Sequence, residues 1–154
     1  MKLKKGQKIF IFSGAGISAP SGVSTFRSDN GLWENHDLDE VCNIHTWKNN
    51  YNKVHDFYNE RRMSLKEVIP NEAHKLIAKM QQELGEDRVI NITTNVDDLF
   101  EKAGVKNTIH LHGSLNEVKN MQTNEIYFLD NEEFEYQKEK VFQQSLVGKK
   151  LATR

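Results

Sequence analysis

Hydrophobic and polar positions alternate along this chain in a way that predicts strands and helices in turn. Ile9-Phe10-Ile11-Phe12 is a continuous apolar run that stops at Ser13-Gly14, the signature of a strand buried in a parallel sheet. A glycine-bearing turn and a short helix follow, then a polar loop from Ser21 to about Asp37. From Trp47 to Leu65 the apolar and aromatic positions Trp47, Tyr51, Val54, Tyr58 and Leu65 recur at helical steps and mark one face of a helix. Pro70-Asn71 opens a second helix with Ala73, Leu76, Ile77, Met80 and Leu84 on one stripe, and Gly85 closes it. Arg88 to Thr93 reads as a second buried strand and Asp97 to Ala103 as a short helix stopped by Gly104. Thr108 to His112 reads as a third strand, ended by Gly113.

Strands alternating with helices predict an α/β domain, a Rossmann-like parallel sheet with flanking helices. In such sheets ligands bind beyond the carboxyl ends of the strands. Here those ends are Ser13 to Ala19, Thr94 to Asp97 and His112-Gly113, where glycine and polar residues concentrate. The expected domain spans 1–118, and 119–154 reads as a polar tail whose charge run from Asp130 to Lys140 is a solvated face.

Composition narrows the partners. The formal charge is -1 over 154 residues, which gives no electrostatic reason to expect nucleic acid or an anionic membrane. One cysteine, Cys42, excludes an internal disulfide and a multi-cysteine zinc site and suits a reducing cytoplasm. The basic start, Met1-Lys-Leu-Lys-Lys-Gly, is followed by an apolar run too short for a signal peptide or a membrane span. The expectation is a soluble cytoplasmic domain. A mean hydropathy of -0.70 fits that expectation if one stretch is unusually solvated.

Gly14-Ala15-Gly16-Ile17-Ser18-Ala19 matches the dinucleotide-binding fingerprint, with alanine at the third small position. The first glycine serves the tight turn, and the second lets backbone N–H groups approach a pyrophosphate without a Cβ in the way. The following helix start adds the positive end of its dipole. On its own the pattern is equally a structural turn between strand and helix. A dehydrogenase would next show a strand ending in an acidic residue, and Glu34 lies at that distance with no apolar strand before it. The segment between, Pro20 to Trp33, reads better as a lid over a ligand, with Arg27 facing phosphate and Phe26 facing a ring.

The ordered set Gly14-Ala15-Gly16-Ile17-Ser18, Ser21-Gly22, Thr25-Phe26-Arg27, Gly31-Leu32-Trp33, Pro70-Asn71 with His74, Thr93-Thr94-Asn95-Val96-Asp97 and His112-Gly113 resembles the NAD-dependent sirtuins in order and spacing over residues 8–118. The resemblance implies NAD as cofactor and an acylated-lysine protein or peptide as substrate. Gly14, Ala15 and Gly16, with Ile17, Ser18 and Arg27, would hold the phosphates, and Phe26 would cover the nicotinamide ribose, with Trp33 on the same lid. Asn95 and Asp97, with Val96 and Thr94 beside them, would form the nicotinamide pocket. His112 would be the general base on the ribose hydroxyls, a role that suits an imidazole whose ordinary pKa of about 6.5 lies near working pH. The implied reaction expels nicotinamide, transfers the acyl group to ADP-ribose and frees lysine. Read from the residues alone, His112 is first a strand-end histidine hydrogen-bonded to backbone and only second a general base. His110 and His112 share a strand face, but no third metal ligand lies near them in sequence. His110 stands where the family usually has an acidic residue and receives no role. His74 is read as structural, on the polar flank of its helix.

A narrower resemblance concerns Phe57-Tyr58 and Arg61-Arg62, which look like the segment marking the class III sirtuins that remove succinyl or malonyl groups. Tyr58 and Arg61 share a helix face, and a guanidinium fork binds a carboxylate bidentately. The alternative is Tyr58 in the core and Arg61 in solvent. Cys42 reads as a small packing residue near the acyl pocket. Thr94 stands where the family usually has Gln, at a cost of about 1 kcal/mol in ribose binding. Past Leu115 the sequence shows no counterpart of the family's four-cysteine zinc module or adenosine-binding half, and 119–154 is expected to be a tail that does not resemble the family. Three explanations stay open: a truncated sequence, a shortened relative, or a partner that completes the sheet. A catalytically silent NAD or ADP-ribose binding module is the alternative to an enzyme, with a dehydrogenase behind both.

Overall fold

The computed structural model describes residues 3–23, 41, 45, 47–136 and 142–144. β1 (Ile9–Ser13), β2 (Val89–Thr93) and β3 (Ile109–His110) form a parallel sheet in the order β1-β2-β3. Its register pairs Ile9 with Val89 and Ser13 with Thr93, then Thr93 with His110. The three carboxyl ends therefore lie side by side, which brings together segments that are remote in sequence.

Two 3-10 turns, Ala15–Ile17 and Ala19–Ser21, follow β1 and end at Gly22, whose φ of 87° is the left-handed conformation glycine adopts without strain. Helix α1 (Tyr51–Ser64) and helix α2 (Glu72–Leu84) come next, and α3 (Leu99–Lys102) is a single turn. Asn71 caps α2 by accepting from the Ala73 N–H at 3.0 Å, a contribution of about 1 kcal/mol. Gly85, at φ 103°, ends it where an L side chain would be strained.

The core divides in two. Val41, Trp47, Tyr51, Val54, Phe57, Tyr58, Leu65, Leu115 and Tyr136 surround α1, while Ile77, Phe100 and Val105 sit between α2, α3 and the sheet. Each fully buried large side chain, such as Phe57 or Phe100, contributes about 2–3 kcal/mol of transfer free energy. Gln81 joins α2 to the sheet: its amide donates to the Val89 and Lys106 carbonyls and its oxygen accepts from the Lys106 N–H at 2.7 Å.

Five sequence expectations need adjusting. β1 is not buried on both faces: Phe10 and Phe12 are 67% and 68% exposed, so among the described residues one face of the apolar run is uncovered. The third strand is confined to Ile109–His110, because the chain turns at Leu111 and His112. On α2 the buried face is His74, Ile77 and Gln81 rather than the aliphatic stripe, and Leu76 is exposed. His74 is fully buried with its ring 4.8 Å from Phe100, edge-on, so it leaves the polar flank assigned to it.

The fifth concerns residues 119–154. β4 (Glu117–Asn120), β5 (Ile126–Phe128) and β6 (Phe142–Gln144) form an antiparallel sheet in the order β5-β4-β6, and the expected boundary at 118 falls inside β4. The segment is anchored by few apolar residues and several polar ones, which hides it from hydrophobic periodicity. Arg62, fully buried, donates to the Leu115 carbonyl at 2.7 Å, to Asn59 Oδ1 at 2.5 Å and to Gln144 Oε1 at 2.9 Å. Beside it His55 lies stacked on Tyr136 and 3.1 Å from both the Phe142 carbonyl and Gln144 Nε2. No helix among the described residues is long and apolar enough to cross a membrane.

Candidate functional site

The strand ends meet in a polar cluster. Ser13 Oγ donates to Thr93 Oγ1 at 3.1 Å, and the Thr94 N–H donates to the Ser13 carbonyl at 3.0 Å, so β1 and β2 are tied where the sheet stops. Just beyond, Asn95 Nδ2 donates to Ser18 Oγ at 3.0 Å, and the Ser18 hydroxyl donates to Asp97 Oδ2 at 2.9 Å. Ser18, Asn95 and Asp97 are all buried. A hydroxyl can donate one bond while accepting another, so Ser18 joins an amide to a carboxylate without leaving either unmatched.

Local chemistry holds each member in place. The Asn95 N–H donates to Thr93 Oγ1 at 3.0 Å, and Asp97 Oδ1 accepts the Leu99 N–H at 3.2 Å. The Val96 carbonyl accepts from the Leu115 N–H at 2.9 Å, which locks this segment against the stretch after His112. Asn71 Nδ2 donates to the Ile17 carbonyl at 2.8 Å and to Ser21 Oγ at 3.0 Å, so the cap of α2 also fixes the turn after β1. Ile17 packs beside Phe100 and Ile77.

Burial pushes the Asp97 carboxyl upward, and the bonds from Ser18 and Leu99 with the charges of His74 and His110 only partly offset it. Burial likewise pulls His74 downward against Asp97 and Glu101. A Cβ added at Gly14 would come to 3.3 Å from Thr94 Oγ1, whereas one at Gly16 would meet nothing within 4 Å. Gly14 is thus closely packed against Thr94, and among the described residues the space beside Gly16 is open.

Of the sequence-predicted residues, the fold unites Gly14, Ala15, Gly16, Ile17 and Ser18 with Thr94, Asn95, Val96 and Asp97. His112 lies in the turn after β3 and is exposed. Tyr58 and Arg61 lie on α1, both buried. Tyr58 belongs to the larger core, and Arg61 lies over the Phe57 ring at 3.2 Å and donates to the Phe57 carbonyl at 3.0 Å. Phe26, Arg27, Trp33 and Cys42 lie outside the described residues.

Sequence reasoning missed His110. Its Nδ1 is 2.7 Å from the Asn95 carbonyl and its Nε2 3.1 Å from Glu101 Oε1. It also missed the hub at Asp98, whose Oδ2 accepts from Asn116 at 3.1 Å and Asn131 at 2.5 Å. Neither has a local sequence signature, since each contact joins separate elements.

A parallel sheet with flanking helices, whose carboxyl ends present a glycine turn and a buried amide–hydroxyl–carboxylate cluster, places the chain among the Rossmann-like α/β proteins. The chain belongs to the Sir2 family, whose model matches residues 14–153 and thus runs through the antiparallel sheet as well. It is 46% identical over 128 residues to an NAD-dependent protein deacylase of Campylobacter jejuni, covering 83% of this chain and 54% of that one. An NAD-dependent protein deacylase of Helicobacter pylori is 51% identical over 113 residues, 73% of this chain and 48% of that one. Among solved structures, a Sir2 homologue in complex with NAD superposes with a TM-score of 0.70 at 34% identity, covering 84% of this chain and 49% of the other. The chain spans about half the length of the curated relatives it matches.

Proposed function

We propose that this chain carries the nicotinamide-side active site of an NAD-dependent protein-lysine deacylase. The observation that carries the reading is the Ser18–Asn95–Asp97 cluster, buried and joined by two hydrogen bonds through Ser18 at the ends of β1 and β2, beside the exposed Gly16. That arrangement fits NAD: a primary carboxamide needs both a donor and an acceptor, and the cluster offers an amide and a carboxylate side by side. When bound, NAD would supply an electrophilic ribose C1′ for an acyl-lysine oxygen, with nicotinamide as the leaving group.

The protein's own groups then have separable tasks. Gly14, Ala15 and Gly16 bring backbone N–H groups to the phosphates, where Gly16 presents no side chain. Asn95 and Asp97 hold the carboxamide with Val96 and Thr94 alongside, and burial of this cluster excludes water. His112, exposed at the sheet's edge, takes a proton from the ribose hydroxyls. Phe26, Arg27 and Trp33, outside the described residues, keep the roles that the family resemblance implies.

Incubation with NAD and an acetyl-lysine peptide should release nicotinamide, and His112→Ala should stop the release. NAD binding without any nicotinamide release would replace this reading with a silent NAD or ADP-ribose binding module. A preference for succinyl- or malonyl-lysine forms the finer part of the proposal, supported by the buried Arg61 guanidinium beside Tyr58 on α1. A carboxylate entering an apolar channel needs a paired cation. Arg61→Met should therefore lower kcat/KM for succinyl-lysine about 10- to 150-fold and spare acetyl-lysine. Equal loss on both would assign Arg61 to packing alone.

A further inference from the structure

His110 sits between two oxygen atoms that can only accept. Its Nδ1 is 2.7 Å from the Asn95 backbone carbonyl and its Nε2 is 3.1 Å from the Glu101 carboxylate. A neutral imidazole has a single N–H, so one of these contacts would set a ring lone pair against an oxygen lone pair. Both become hydrogen bonds only when the ring carries two protons. The geometry points to His110 as a positioning residue, held as an imidazolium by Glu101, that fixes the Asn95 carbonyl and with it the Asn95–Asp97 segment of the site.

The surroundings favour that charge. Burial pulls the imidazole pKa down, but the Glu101 and Asn95 hydrogen bonds and the charges of Glu101 and Asp97 outweigh it, and the net direction is upward. Glu101 moves the opposite way, as a carboxylate bonded to a cation should: burial raises it, and the His110 bond and charge bring it below its ordinary value. The Glu101 side chain is 44% exposed against 11% for His110, so solvent screens the pair in part. The other charged groups nearby come from several elements. His74 of α2 faces Asp97 and Glu101, while Asp98, Lys102, Glu117 of β4 and Asp130 line the same cleft as His110. Carboxylates outnumber cations there, which again favours the protonated ring.

Because the pKa is raised, the tether is complete below the ordinary histidine value and is lost as pH climbs through the folded-state value. The pin acts on the backbone of the residue whose side chain meets Ser18. Its loss therefore loosens the site without removing any group expected to touch NAD.

The experiment is a histidine ring titration by NMR on the full 154-residue chain, read together with the Val96 amide resonance, which lies on the peptide bond of the pinned carbonyl. The inference expects His110 to stay doubly protonated above the ordinary range, with the Val96 amide shifting along the same curve. Glu101→Gln supplies an uncharged partner that can donate to Nε2, so a neutral ring keeps both contacts. In that variant the His110 titration should fall to or below the ordinary value and the Val96 amide should stop following it. This arm needs no ligand. Where NAD binding is concerned the inference rests on the proposed function. Affinity by calorimetry should drop about three- to tenfold across the wild-type His110 transition. It should stay flat in Glu101→Gln and be low at every pH in His110→Phe. A wild-type ring that titrates at or below the ordinary value, or a Val96 amide indifferent to it, overturns the inference. Absence of NAD binding at every pH would instead remove the proposed function and leave the titration to decide His110.

Discussion

The Ser18 hydroxyl donates to the Asp97 carboxylate at 2.9 Å although 79 positions separate the two residues. This one bond closes the glycine turn onto the segment after β2, and it is made only because β1 and β2 end in register. Ser18→Ala removes the donor to Asp97 and the acceptor for Asn95 together, inside a buried cluster. Stability should fall by about 1–3 kcal/mol in urea unfolding, and NAD affinity should fall with it. Unchanged stability would mean that the cluster is solvated in solution.

The two glycines of the turn should separate packing from binding. Gly14→Ala pushes a Cβ to 3.3 Å from Thr94 Oγ1, so Thr94 must yield and strain its contact with the Ser13 carbonyl. We expect a loss of up to about 1 kcal/mol, largely recovered when Thr94→Ala is added, as a double-mutant cycle would show. Gly16→Ala meets no atom of the described residues within 4 Å, so stability should be unaffected. NAD affinity should nevertheless drop at least tenfold, because the new methyl occupies the phosphate's approach. A Gly16→Ala variant that binds NAD normally would place the phosphates elsewhere.

How much of this was legible in the sequence depended on whether a contact repeats at a regular spacing. The strands, α2 with its Asn71 cap and Gly85 stop, and the polar strand ends follow from local pattern, and the fold confirms an α/β parallel sheet. The antiparallel sheet was not legible, since β6 is held by Gln144 against Arg62 and His55 rather than by an apolar face. His74 and Gln81 on the buried side of α2 defeat a purely hydrophobic reading for the same reason. His110 was passed over because its meaning lies in two acceptors from different elements.

Arg62 should be among the most sensitive positions of α1. It is fully buried, serves acceptors at Leu115, Asn59 and Gln144, and burial lowers its pKa to about 10, so it stays charged at neutral pH. Arg62→Met fills much of the volume but strips all three acceptors. We expect roughly 3–5 kcal/mol of destabilisation by urea unfolding. A loss below 1 kcal/mol would show that β6 is not held on α1 in solution.

His55 should make the fold acid-sensitive. Its Nε2–H donates to the Phe142 carbonyl while Nδ1 accepts from Gln144, an arrangement that requires the neutral ring. Burial first, then the nearby Arg62 charge, lowers its pKa to about 4, although the Phe142 bond and Asp56 oppose the shift. Above about pH 6.5 the ring is neutral in both states and its contribution is complete. As pH falls from there toward 4 the unfolded chain binds a proton that the folded one refuses, and about 3 kcal/mol is lost. Unfolding free energies across that range should fall less steeply in His55→Gln, and equal slopes would exclude His55 as the titrating group.

The register of the parallel sheet has a consequence for how the chain reaches this state. Ile9 finds its strand partner only at Val89, and no other strand pairs with β1 among the described residues. Closing a loop of that length costs on the order of 4 kcal/mol of chain entropy before the first ladder bond forms. During synthesis β1 therefore leaves the ribosome long before its partner exists, with Phe10 and Phe12 bare. Folding of the sheet should be slow relative to α1 and α2, and the nascent chain should be a good client for holdase chaperones over this interval.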